Sequence, residues 1–161
     1  MNQDLYQLSS QIGEVLTRNS FSIATAESCT GGLLAHILTS VSGSSNYYVG
    51  GIVAYSNRIK ENFLGVRPET LEQHGAVSYQ TAQEMAIGIR EKFKTDIGLS
   101  TTGIAGPTGG TPSKPVGLVW IGLSFKGKTT TIKCQFDGER EQVKTRSVQK
   151  ILQALLTDLK G

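Results

Sequence analysis

A serine, a lysine and two glycine-rich stretches are the parts of this chain whose types and spacing could do chemistry. Ser28 lies in Thr25-Ala26-Glu27-Ser28-Cys29-Thr30-Gly31-Gly32, between an apolar run and a segment of helical spacing. Residues 21–25 read as a strand from their aromatic and β-branched content, and Leu33, Leu34, Ile37, Leu38 and Val41 then recur as on a helix. A hydroxyl at such a junction has two readings. Serine commonly caps a helix without any chemistry. As a nucleophile it would find unpaired backbone N–H groups beside it, with glycines that let a substrate approach the backbone closely. Cys29 is a second candidate, because a thiol at a helix N-terminus can ionise more readily; small apolar packing is its plainer role. The nucleophile elbow of hydrolases is excluded, since it requires glycine two places before and after the serine, where this chain has Ala26 and Thr30.

Lys60 follows a second apolar strand over 47–55, interrupted by Gly50-Gly51, a pair that suggests a bulge or a close backbone approach. Ser56 or Asn57 would cap a short helix reaching Phe63-Leu64, which places Lys60 near its first turn. A cation there opposes the helix dipole, so the residue is either simply exposed or present for a reason. The third stretch follows a strand over 97–101: Thr102-Gly103-Ile104-Ala105-Gly106-Pro107-Thr108-Gly109-Gly110-Thr111. It is neither a Walker A loop, as no GK[ST] follows, nor a dinucleotide fingerprint. Its glycines suit backbone held close to a polar ligand group, with the Thr101 and Thr102 hydroxyls as further donors.

These pieces need elements to position them. An amphipathic helix with Leu5, Leu8, Ile12, Val15 and Leu16 on one stripe opens the chain and ends near Asn19, and Gly43 suits the cap that stops the second helix. A short helix over 69–74 precedes a longer one over 79–94, with Ala82, Met85, Ala86, Ile89 and Phe93 inward. Strands over 116–125 and 128–136 form a hairpin around Gly127, and a final helix over 141–159 buries Val148, Ile151, Leu152, Leu155 and Leu159. Helical crossovers demand parallel strands and the hairpin adds an antiparallel pair. The expected fold is α/β: a three-layer α/β/α sandwich with a mixed, mostly parallel sheet and a C-terminal antiparallel hairpin. In such sheets ligands gather beyond the carboxyl ends of the parallel strands, which brings Ser28, Tyr55-Ser56 and Thr102-Gly103 to one edge.

The chain has 161 residues, 38% hydrophobic and 18% charged, with 19 glycines, so one compact domain over 1–161 is expected. The net charge of +3 does not imply nucleic acid. The basic excess is local: seven basic residues against three acidic ones between Lys126 and Lys150 give +4 there and −1 elsewhere. That excess would serve a phosphate-bearing ligand or simply a solvated face. The only aromatic in the segment is Phe136, so a base-stacking platform is missing and no nucleic-acid partner is expected. Cys29 and Cys134 stand alone, with neither CxxC nor histidine at metal spacing, so no metal centre and no disulfide framework are expected. No apolar run is long enough for the membrane, and a cytoplasmic location is the expectation.

Taken together, the 25–32 motif, Gly51 to Asn57 with Lys60, Gly65-Val66, His74-Gly75-Ala76-Val77-Ser78, the 102–111 loop and Lys114-Pro115-Val116-Gly117 resemble the CinA C-terminal domain family. The match is ordered and covers nearly the whole chain. The resemblance implies an amidase that hydrolyses the carboxamide of nicotinamide mononucleotide to nicotinic acid mononucleotide and ammonia, in pyridine-nucleotide salvage. It also implies a homo-oligomer without cofactor or metal, and points to Ser28 as the nucleophile. Only two histidines exist, His36 within a helix and His74 before a turn, and neither falls on the expected edge. A Ser28–Lys60 pair therefore replaces a serine–histidine–aspartate triad, with Tyr55 passing protons between them. Thr30, Gly31, Gly32, Thr102 and Gly103 are expected at the substrate's carboxamide or oxyanion, and Arg140 at its phosphate, with Lys114 in reserve. The competing class is a nucleotide- or protein-binding module without turnover.

Overall fold

The computed structural model describes residues 2–161, and its elements alternate as the hydrophobic periods require. Helix α1 (Gln3–Asn19) is capped by the Asn2 side chain and buries Leu5, Ile12 and Leu16. Strand β1 (Ile23–Glu27) is fully buried, and α2 (Leu33–Thr39) follows it. Strand β2 (Tyr48–Val53) leads to α3 (Asn57–Leu64), α4 (Pro68–His74) and α5 (Tyr79–Phe93). The chain closes with β3 (Ile97–Gly103), the hairpin β4 (Leu118–Phe125) and β5 (Lys128–Gln135), and α6 (Arg140–Lys160).

The five strands lie in the order β2-β1-β3-β4-β5. β1 pairs in parallel with both β2 and β3, while β4 runs antiparallel to β3 and β5. Strand direction thus reverses only at β4, and the sheet is mixed as expected. Alternate side chains go to opposite faces. Ile23 joins Leu16, Leu38 and Ile151 beneath α1, α2 and α6, whereas Ala24 and Ala26 pack with Leu64, Met85 and Ile89 beneath α3 and α5. The small alanines let the second helical layer lie close to the sheet. Among the described residues no helix is long and apolar enough to cross a membrane.

Several boundaries differ from the sequence reading for identifiable reasons. β1 starts two residues late, because the Ser22 amide and hydroxyl bind the Asp96 carboxylate at 2.8 and 3.0 Å before the ladder begins. Gly43, with φ +85°, precedes a short 3-10 turn over Ser44–Asn46, and α2 already ends at Ser40. The irregularity expected at Gly50-Gly51 falls at Val49: the register slips there between the pairs Ile23–Tyr48 and Ala24–Gly50. One glycine fixes the placement of the site. A Cβ on Gly88 of α5 would stand 1.8 Å from the Leu64 carbonyl oxygen, so only hydrogen permits α3 to cross α5 this closely.

Candidate active site

The carboxyl ends of β1, β2 and β3 open onto a cavity of about 270 Å³ bordered by Ser28, Tyr55, Lys60, Thr102, Gly103 and Arg140. A hollow of about 550 Å³ between α1 and residues 41–47 is larger, but its lining holds no nucleophile beside a base. Chemistry, not size, singles out the first.

At its floor the Lys60 amine lies 3.0 Å from the Ser28 hydroxyl oxygen and donates to the Ala54 carbonyl at 2.8 Å. Ser56 caps α3 through the Ile59 amide, so the helix begins where β2 ends and its first turns project Lys60 inward. The side chain is 1% exposed, and among the described residues no carboxylate stands within 4.0 Å of it. Burial therefore pushes its amine below the ordinary value of 10.5. Ser28 is no helix cap. Gly32 occupies that position without any side-chain bond, the Ser28 amide donates to the Thr101 carbonyl at 2.9 Å, and the hydroxyl is left for Lys60.

The turn that carries Ser28 is held from below by Glu27, 1% exposed. Its carboxylate accepts from the Thr30 hydroxyl at 2.7 Å and from the Leu34 and Ala35 amides at 2.8 and 3.1 Å. The chain's own anion thus takes the first amides of α2, so they are not open to a ligand. The amides of Cys29, Ala105 and Gly106 face a different situation: they border the cavity and, among the described residues, give no hydrogen bond to another residue. Burial raises the Cys29 thiol to about 12, so it is not poised as a thiolate.

The remaining expected residues divide. The Tyr55 ring is 62% exposed and its hydroxyl accepts from Arg140 Nη2 at 2.8 Å, with no bond to Ser28 or Lys60. Arg140 also reaches the Gly106 carbonyl at 2.8 Å, tying the glycine loop to the end of β2 across the cavity mouth. Thr102 donates to the Ala76 carbonyl at 2.7 Å and so holds a wall of the cavity. Thr30 lies beneath the floor, bonded to Glu27 and, at 2.7 Å, to Thr101. Gly31 and Gly32 bend the chain with φ of +59° and +102° but do not border the cavity. Lys114 is turned away as well: its amine donates to the His74 carbonyl at 2.5 Å. The sequence reading assigned no role to Glu27, although an acid inside an apolar strand requires internal donors, or to the Ala54 carbonyl, which carries no signal in sequence. Among the described residues no cluster of His, Cys, Asp and Glu could hold a metal ion.

Known proteins share this fold. The family model of the CinA C-terminal domain matches residues 5–159. The CinA-like protein of Kosmotoga olearia is 54% identical over 133 residues, which is 83% of this chain and 32% of that protein. The CinA-like protein of Rippkaea orientalis is 49% identical over 142 residues, 88% of this chain and 34% of its own length. The chain spans about a third of these curated relatives. Among solved structures, the competence/damage inducible protein CihA of Agrobacterium tumefaciens superposes with a TM-score of 0.96 at 37% identity, covering 100% of this chain and 98% of that one. A CinA superfamily protein of Klebsiella pneumoniae gives 0.94 at 37% identity, covering 98% and 99%. With the family model matched over residues 5–159 and the fold matched over whole chains, this chain belongs to the CinA C-terminal domain family.

Proposed function

We propose that this protein hydrolyses the carboxamide of nicotinamide mononucleotide, releasing ammonia and nicotinic acid mononucleotide, with Ser28 as nucleophile and Lys60 as its base. The observation that carries this reading is the 3.0 Å approach of a buried, carboxylate-free amine to the Ser28 hydroxyl at the end of a parallel strand. The choice of this amide rests on the family resemblance.

The steps follow from proton positions. The neutral Lys60 amine accepts the Ser28 proton while donating to the Ala54 carbonyl, and the freed oxygen attacks the carboxamide carbon. Negative charge develops on the carboxamide oxygen, where the unpaired amides of Cys29, Ala105 and Gly106 supply donors. The Lys60 ammonium then returns its proton to the departing nitrogen, ammonia leaves, and an ester on Ser28 remains. Water, deprotonated by the same amine, attacks that ester and restores the serine. Arg140 keeps free N–H groups at the cavity mouth, where they suit a phosphate; its bond to Tyr55 holds the fork in place. On this reading Tyr55 is a positioning residue, not a proton carrier.

The test is ammonia release from nicotinamide mononucleotide by the purified protein beside Ser28→Ala. Release that vanishes in the variant is expected. Equal and substantial rates would remove Ser28 as the nucleophile, and no release above the variant's background would leave a binding module in place of the enzyme.

A further inference from the structure

A second cleft, of about 210 Å³, opens beside the candidate active site and is bordered by His74, Tyr79, Lys114, Trp120 and Lys133. Sheet register explains its composition. Thr102 pairs with Trp120 across β3 and β4, and Trp120 with Lys133 across β4 and β5, so the three side chains form one row on one face. The row begins at the cavity and ends on the edge strand. Val77 borders both hollows and divides them.

The Tyr79 and Trp120 rings meet at 5.9 Å between centroids, and Lys133 Nζ stands 5.9 Å from the centre of the indole. Tyr79 remains 48% exposed and Trp120 only half-buried, which leaves aromatic surface open. Neither Lys114 nor Lys133 has a carboxylate within 4.0 Å among the described residues, and no acidic residue borders the cleft. The first turn of α5 adds potential of the same sign. Two ammonium groups without counter-ions beside an open aromatic pair match an anion joined to a planar ring.

We propose that this cleft binds a phosphorylated, ring-bearing small molecule of the mononucleotide class, apart from the site that holds the reacting amide. The ring stacks on Tyr79 and Trp120, and the phosphate lies between Lys133 and Lys114. The two hollows share the wall at Val77. That wall is tethered by Lys114 on the His74 carbonyl, by Ser78 and Thr81 on the Gly75 carbonyl at 3.0 and 2.8 Å, and by Thr102 on the Ala76 carbonyl.

Trp120 is the sole tryptophan, so its fluorescence reports on the cleft directly. Adenosine monophosphate, adenosine and inorganic phosphate are titrated into the full chain with excitation where adenine does not absorb. Saturable quenching by the nucleotide is expected, with adenosine or phosphate alone much weaker. It should persist in Arg140→Ala and weaken at least about tenfold in Lys133→Glu, an exposed edge-strand change whose folding is checked by circular dichroism. Lys114→Ala serves as the second charge variant, with weakening in the same sense. Absence of saturable quenching overturns the proposal. So does quenching lost in Arg140→Ala but kept in Lys133→Glu, which assigns the ligand to the neighbouring cavity. Far tighter, steeply salt-dependent quenching by a short DNA strand would assign the surface to nucleic acid instead.

Discussion

Replacing Lys60 by methionine separates what the buried amine does in the reaction from what it costs the fold. The side chain is 1% exposed and makes two polar contacts, to the Ser28 hydroxyl and the Ala54 carbonyl. Methionine nearly matches its length but can neither accept the serine proton nor return it. Loss of a general base costs about 10²–10⁴ in turnover, and more when base and nucleophile act as a unit. Stability moves the other way. Methionine leaves the buried Ala54 carbonyl without its donor, at about 1–3 kcal/mol, against several kcal/mol of desolvation when the ammonium form is buried without a counter-ion. The two oppose each other, and the variant gains where the amine would otherwise be charged; each kcal/mol is worth about 2–4 °C in Tm for a chain of this size. The gain must depend on pH. Burial lowers the amine's folded value below 10.5, so between the two values the unfolded chain binds more protons and wild-type stability climbs with pH. The variant lacks this slope, and its advantage is greatest in acid and fades as pH approaches 10.5. Ammonia release and thermal melts across pH read both effects. Turnover within about tenfold of wild type would refute Lys60 as the base.

Three further outcomes follow from the same geometry. Wild-type kcat should rise with pH as Lys60 loses its proton, with a midpoint below 10.5 that disappears in Lys60→Met; a flat profile would contradict an amine base. Glu27→Gln should lower stability by about 1–3 kcal/mol, since an amide of the same shape offers one strong acceptor where three donors converge. Chemical denaturation measures this, and an unchanged midpoint would remove Glu27 from the support of the Ser28 turn. Gly88→Ala should cost about 1–3 kcal/mol, because α3 must move off α5 to clear the Leu64 carbonyl, and turnover should fall with the displacement of Lys60. Native stability with full activity would show that this helix crossing does not set the site.

The α/β order and most elements were legible because strand and helix periods differ and each buries one face. The site was legible as far as strand ends dictate: Ser28 and Tyr55 follow two neighbouring parallel strands and Thr102 lies at the end of a third, and their convergence is a property of the topology. Lys60 could be singled out from its odd charge near a helix start, yet its burial depends on the α3–α5 crossing, which no local pattern encodes. Thr30 illustrates the limit from the other side. It sits in the motif two residues from Ser28, but its hydroxyl is turned down toward Thr101, a partner 71 positions away that only strand register supplies. Lys114 is the reserve for the phosphate in the sequence reading, and the loop's fold carries its amine instead to the His74 carbonyl.

The most direct test of the serine–lysine chemistry is to quench the reaction with nicotinamide mononucleotide rapidly in acid and locate any covalent adduct by peptide mass spectrometry. A nucleotidyl acyl group on the peptide carrying Ser28, absent from Ser28→Ala, is the expected result. An adduct on Cys29, or full turnover by Ser28→Ala, would contradict it.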